Sequence, residues 1–210
     1  MSDKRKGGKP RLKRELKREQ SKRKLLETAK ALIREKGCTH LTLQDIADRS
    51  GLSKGGIFHY VKSKDELMGW VLRESLEETD RRFQKATEQD GKTFEGPMRE
   101  IAAGLPNLED PDDAANRVFM YLLGKCDIPE VREQLRRFYG HSLQFSKRWI
   151  AAGQEAGVIP RSVDADKTAE LFVLISLALR VRSVLGAEGS AFGSGDFASL
   201  MERLLQPPNP

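Results

Sequence analysis

The sequence is poor in the residues from which most active sites and cross-links are built. Of its 210 residues, two are cysteine and three are histidine. Cys38 and Cys126 lie far apart with no CxxC partner, so they read as free thiols of a reducing compartment. His40, His59 and His141 have no Cys or carboxylate at metal-ligand spacing, which argues against a metal site. There is no Gly-rich phosphate loop, GxSxG elbow or HExxH helix, so neither a cofactor nor a catalytic residue is expected. Sustained period-2 alternation, the mark of strands, is also missing. Long hydrophobic runs are absent as well. The most apolar stretch, Leu171 to Leu179, is interrupted by Ser176 and closed by Arg180, well short of the ~20 residues of a spanning helix. The basic start is not followed by the apolar stretch of a signal peptide. A cytoplasmic, all-helical chain without a membrane partner is expected.

What the sequence does contain is positive charge in one place. The net charge is +6, yet residues 1–24 alone carry twelve Lys and Arg against Asp3, Glu15 and Glu19, leaving the remaining body mildly acidic. A basic end on an acidic body fits a polyanionic partner met at that end. A solvated tail has the same composition, so charge alone leaves both readings open.

Helical punctuation is frequent. A first helix is expected from about Glu15 to Lys36, with Leu25, Ala29, Leu32 and Ile33 on one face and Gly37 as its stop. Thr42 with Asp45 makes a capping-box-like start for a second helix, Gly51 ends it, and Ser53 caps a third. Ser63 opens a long fourth helix, with Glu66 where a capping box wants it, running towards Gly91. Between Gly91 and Pro111 glycines and prolines cut the chain into short pieces. Asp110-Pro111 reads as a helix start leading into Val118, Phe119 and Tyr121. Pro129 opens a long helix whose positions Val131, Leu135, Phe138, Ser142, Phe145, Trp149 and Ala152 form one face, closed by Gly157 and Pro160. A helix from Asp164 or Asp166 to about Leu185, a Gly/Ser connector and a last helix over Phe197–Leu205 complete the expectation.

The most specific pattern spans Leu43 to Tyr60. Two short helices crossing steeply tolerate only a small residue at their contact, and Ala47 falls there. Their turn needs a residue able to take positive φ, and Gly51 falls there. Ile46, Leu52, Ile57 and Tyr60 occupy the positions that tie the helices together. This is the spacing of a helix-turn-helix, in which the second helix enters the major groove. That helix would be Ser53-Lys54-Gly55-Gly56-Ile57-Phe58-His59-Tyr60. Adjacent glycines cost ~1 kcal/mol each in a helix relative to Ala, and close approach of backbone to DNA is a physical reason for them. Ser53 and the helix start can meet phosphate through N–H groups. Lys54 points outward, and Thr42, Tyr60 and Lys64 lie at helix ends on the same side.

From Thr42-Leu43-Gln44-Asp45-Ile46-Ala47 through Gly51-Leu52-Ser53-Lys54-Gly55-Gly56-Ile57-Phe58-His59-Tyr60 to Lys64-Asp65-Glu66-Leu67, the chain resembles the DNA-binding domain of the tetracycline-repressor (TetR) family. The resemblance covers about residues 20–75. It implies a basic arm at 1–19, a helix-turn-helix domain at 20–66 and a helical ligand-binding and dimerisation domain at 67–210. It also implies a transcriptional regulator, commonly a repressor, that binds double-stranded DNA at a palindromic operator as a homodimer and answers a small-molecule effector. Carried over by position, Thr42, Ser53, Lys54, Gly55, Gly56, His59, Tyr60 and Lys64 match DNA-contacting residues. Two positions depart from the family pattern: Phe58 stands where a phosphate-binding Tyr is common, and Val61 where an aromatic is usual.

For the rest of the chain the expectations come from patterning and from that resemblance. The aromatic layer of Phe119, Tyr121, Phe138, Phe145, Trp149 and Phe172, with His141 beside it, is a candidate wall for an apolar or aromatic effector held by a few polar groups such as Tyr121, His141 or Gln144. The same aromatics fit a plain core. The helix around Leu171–Leu185 is apolar almost all round and needs cover on two sides. That makes Leu171, Leu174, Ala178, Val181 and Leu185, with Leu200 and Leu204 of the last helix, the candidate dimer interface. The competing functional class is a helical small-molecule enzyme or carrier with a basic tail, which would have no need of Ala47, Gly51, Lys54 and the glycine pair together.

Overall fold

A computed structural model describes residues 8–89, 93–186 and 189–206, with residues 8–13 as backbone only. Among the described residues the regular structure is entirely helical. The helices are α1 (Gly8–His40), α2 (Leu43–Ser50), α3 (Lys54–Phe58), α4 (Lys64–Gln89), α5 (Glu95–Gly104), α6 (Ala114–Leu123), α7 (Pro129–Glu155), α8 (Ala165–Ser183) and α9 (Ser194–Leu205). A tight helical turn at Leu105–Leu108 links α5 towards α6.

Three boundaries differ from the sequence expectation. α1 starts at Gly8 rather than Glu15, while Gly37, non-helical at φ 74° and ψ 166°, interrupts it where the sequence places its stop, and a short helical segment follows to His40. Pro10 falls in the first turn, where its missing N–H costs no intrahelical bond. α6 starts at Ala114 rather than at Asp110-Pro111. Asp113 outcompetes the earlier aspartate because its Oδ1 accepts both the Ala115 N–H (2.9 Å) and the Asn116 N–H (3.0 Å). Asp110 instead accepts the Asp112 N–H within the preceding turn. The last helix also begins earlier than expected, at Ser194. Gly91 and part of the Gly/Ser connector, residues 187–188, lie outside the described residues.

Two apolar clusters hold the chain together. In the first, Leu25, Ala29, Leu32 and Ile33 of α1 meet Ile46, Ala47, Ile57, Val61, Leu67 and Met68 of the next three helices and their links. This cluster continues without a break into Val118, Phe119 and Leu122 of α6 and Val131 and Phe138 of α7. The helix-turn-helix is therefore rooted in the body by the same core that shapes it. The second cluster joins α5, the tight turn, the end of α7, α8 and α9 around Phe172 and Phe197, whose rings meet edge to face at 5.9 Å. Val61, where an aromatic is usual, is buried in the first cluster, so that departure is one of packing.

Candidate nucleic-acid interface and effector cavity

The geometry of the α2–α3 unit follows from local chemistry. The Thr42 hydroxyl accepts the Asp45 N–H at 3.1 Å, while Asp45 Oδ2 accepts the Thr42 N–H at 2.9 Å, a reciprocal capping box. Lys36 donates to Asp45 Oδ1 at 2.7 Å, and with the Thr42 contacts it holds the Asp45 carboxyl well below the usual carboxylate range. Gly51 turns the chain at φ 66°, a left-handed conformation that a side chain would strain. The Ser53 hydroxyl caps α3 by accepting the Gly56 N–H at 3.0 Å.

The two glycines of α3 have different roles. A Cβ at Gly56 would crowd the Ser53 hydroxyl at 3.1 Å, so this glycine protects the cap. A Cβ at Gly55 would meet nothing within 4 Å and would point into open solvent, so space inside the protein does not demand glycine there. Ile57 is fully buried against the first core, while Ser53, Lys54, Gly55, Phe58 and His59 are exposed on the opposite side. Phe58, 48% exposed, is an unusually large apolar group to leave in water.

Lys64 is placed differently from its neighbours. Its Nζ donates to the Thr39 carbonyl at 3.0 Å and the Leu41 carbonyl at 2.8 Å, and it lies over the Tyr121 ring. It closes the end of α1, and burial lowers its pKa. Tyr121 in turn donates to Asp65 Oδ1 at 2.8 Å, and Lys125 pairs with the same carboxylate. Arg117 makes a second joint: it donates to the carbonyls of Ile33 (3.0 Å) and Arg34 (2.7 Å) near the end of α1. α6 thus grips both α1 and α4 through polar contacts that sequence patterning did not reveal.

A cavity of about 400 Å³ opens among α1, α4, α6, α7, α8 and the Gly104–Asp110 turn. Of the residues expected to face an effector, Phe138, Trp149 and Phe172 line it. The other four candidates do not. Phe119 is buried against Phe138, Tyr121 belongs to the joint with Asp65, His141 is exposed, and Phe145 lies under the Arg148 guanidinium. Gln144 is likewise exposed. The Trp149 indole N–H is satisfied by buried Asp80 at 2.9 Å, and its ring stacks on Phe83 at 5.0 Å, which fixes the wall. Beside it, a smaller apolar pocket of about 70 Å³ is bordered by Phe83, Phe94, Pro97 and Met98. Ser75, Thr79, Arg82, Asn107 and Arg180 also line the main cavity.

α8 shows where cover is missing. Leu171, Leu174 and Leu185 are 41%, 52% and 71% exposed, and Ala178 is exposed along the same side. Val181 is half-buried against the first core and Leu204 against the second, while Leu200 is half-buried.

Comparison with known proteins shows what this part of the chain resembles. The sequence profile described as bacterial regulatory proteins, tetR family, matches residues 25–69, the stretch from the core face of α1 through the helix-turn-helix into α4. The chain is 27% identical over 135 residues to an uncharacterized HTH-type transcriptional regulator, YfiR, of Bacillus subtilis, covering 63% of this chain and 65% of that one. It is 26% identical over 156 residues to the HTH-type transcriptional regulator TtgR of Pseudomonas putida, covering 72% and 74%. Over residues 25–69 the chain is similar to the DNA-binding part of TetR-family regulators. A solved TetR transcription regulator from Haloarcula marismortui shares the fold at TM-score 0.63 and 19% identity, over 89% of this chain and 97% of that one. The alignment with YfiR spans just under two thirds of that protein's length. TetR-family regulators are non-enzymatic transcription factors that bind DNA operators, dimerise and respond to small molecules. The enzyme-or-carrier reading is not favoured. Among the described residues no helix is long and apolar enough to cross a membrane.

Proposed function

We propose that this chain is a cytoplasmic repressor that holds a palindromic operator as a homodimer and releases it when a small molecule fills the cavity. The observation that carries the reading is α3. It buries Ile57 and turns Ser53, Lys54, Gly55, Phe58 and His59 outward, on a cap and turn built by Thr42, Asp45 and Gly51. The groove contacts fall to Lys54 and His59. Ser53, Gly55 and the start of α3 approach phosphate through backbone N–H groups, and Gly56, whose N–H is held by the Ser53 cap, lets the backbone come close. Thr42 and Tyr60 flank them. Lys64 joins them only by leaving the α1 carbonyls that now hold it.

The homodimer uses the uncovered side of α8, with α9 beside it, packed against its symmetry mate. A two-fold axis there sets two reading helices on one face, which is why the operator is palindromic. The cavity communicates with the reading unit through α6, which starts at the cavity and holds α1 by Arg117 and α4 by Tyr121 and Lys125. The effector must bind the released arrangement better than the DNA-bound one, since equal affinity for both shifts nothing.

The test is recovery of bound fragments from a genomic pool, followed by affinity measurements on the recovered site. Lys54→Ala should cost about 1–3 kcal/mol on the cognate site and relax preference at one base pair. Full affinity in the Lys54→Ala, His59→Ala double variant would remove α3 as the reading element.

A further inference from the structure

The cavity is not lined as a site for a neutral apolar molecule would be. Arg180 projects from the middle of α8, and burial pushes its pKa down to about 10, still far above neutrality, so it stays charged. No carboxylate forms an ion pair with it among the described residues. Its one hydrogen bond goes to the amide oxygen of Asn116, and its guanidinium lies over the Phe138 ring. Asn116 is fully buried, and its Nδ2 donates to the carbonyls of Asn107 (2.8 Å), Leu108 (3.2 Å) and Asp110 (2.9 Å). Asn116 therefore fixes the turn and positions Arg180, but it supplies no charge.

Arg82 of α4 lines the same cavity and reaches Gly104 at the start of the same turn, and its Nε–H is buried with no hydrogen-bond partner. A buried donor left without a partner is unfavourable, and so is a buried cation that feels only the charge of Asp113 without an ion pair. Two guanidiniums bordering one turn, with unused donors, define a receptor for an anion. Three carboxylates also line the cavity. Glu78 and Asp110 are exposed at its rim, and Asp113 is already used to cap α6 through Ala115 and Asn116. Lys30, paired with Glu74, and Arg34 line it as well, so the lining carries four cations against three carboxylates, one positive charge in excess. Trp149 and Phe172 line both the main cavity and the small apolar pocket.

Resting on the effector reading above, we propose that the effector is an organic monoanion, a carboxylate bound by Arg180 and Arg82 whose apolar or aromatic body lies along Phe138, Trp149 and Phe172. The arginines select the head group and the aromatic wall selects the body, so neither half of the molecule suffices alone.

The experiment measures binding to the full-length protein, by calorimetry and thermal shift, of decanoate, 4-phenylbutyrate and 2-naphthylacetate, each beside its neutral primary amide. At least one carboxylate should bind about tenfold or more tightly than its amide, equivalent to ~1.4 kcal/mol. Arg180→Met should erase that preference. Arg82→Met should weaken it, and since Arg82 makes no hydrogen bond within the described protein, this variant stays folded if Arg180→Met does not. Ser142→Trp, which fills the cavity, should abolish binding of both forms. Amides that bind as well as their acids, lost in Ser142→Trp but unchanged in Arg82→Met, would overturn the anion proposal and leave the effector cavity standing. Binding that survives Ser142→Trp would overturn both. Absence of binding by every carboxylate at millimolar concentration would overturn the anion proposal.

Discussion

The side of α8 left uncovered makes the dimer the most quantitative consequence of the structure. Leu174 is 52% exposed, and burying a whole leucine side chain is worth ~1.5–3 kcal/mol. Covering the exposed half contributes about 1 kcal/mol in each subunit, and two-fold symmetry counts it twice, about 2 kcal/mol per dimer. Leu174→Ala should therefore weaken dimerisation by up to roughly 30-fold. Leu174→Glu with Ala178→Glu places four carboxylates in one apolar seam, each costing several kcal/mol to bury unpaired, and should give monomers. The monomer should keep its helical content, because Phe172, Val173 and Leu179, which hold α8 to its own body, are untouched. It should also lose operator affinity, since linkage of two half-sites, which amplifies affinity, is gone. Sedimentation velocity over a concentration series, paired with titration of the recovered operator, reads both effects. A wild-type monomer at micromolar concentration, or an unchanged dimer in the double-glutamate variant, would refute the reasoning.

Three further outcomes are expected. Deleting residues 1–18, of which residues 1–7 lie outside the described structure, should weaken binding to all DNA sequences alike and flatten its salt dependence; an unchanged salt slope would identify a solvated tail. Arg117→Met removes two charge-assisted bonds to the α1 carbonyls and should lower stability by about 1–3 kcal/mol while shifting the effector concentration needed for operator release; equal stability loss with an unaltered release curve would disconnect α6 from the switch. Burial pushes the Cys38 thiol up to about 11, whereas Cys126 is exposed, so one thiol per chain should label readily at pH 8 and the second only in denaturant; simultaneous labelling of both would contradict the packing of α1.

The parts of the fold legible in the sequence are those decided within a few residues. Thr42 with Asp45, Gly51 and Ser53 each act on backbone groups no more than four positions away, so their spacing reveals them. The face of α1 and the start of α7 at Pro129 are legible for the same reason. The start of α6 is not, because three aspartates compete at 110, 112 and 113, and the choice depends on Asn116 binding the turn from inside the core. Lys64 shows the limit at the DNA side: its place at a helix start matches a phosphate contact, yet its ammonium meets carbonyls of residues 39 and 41, a pairing that exists only once α1 and α4 have packed.

The cavity divides in the same way, and the division bears on mechanism. Phe138 and Trp149 share one face of α7, so periodicity could bring them together, with Phe172 facing them from α8. The polar half comes from separate helices: Arg82 reads as an exposed helix position and Arg180 as the end of an apolar run. Only the fold turns both towards the Gly104–Asp110 turn. Tyr121, assigned to the effector by its aromatic character, belongs instead to the clasp with Asp65 and Lys125. The relocation of Tyr121 sharpens the mechanism, because the clasp and the cavity then share α6. Asn116 at one end of that helix holds Arg180, the next residue holds α1, and Tyr121, little more than one turn on, holds α4. A ligand that draws Arg180 away from Asn116 Oδ1 is expected to loosen the side chain whose Nδ2 ties the turn to the start of α6. If α6 then moves as a rigid rod of ~15 Å, its grip on α1 and α4 is expected to shift with it.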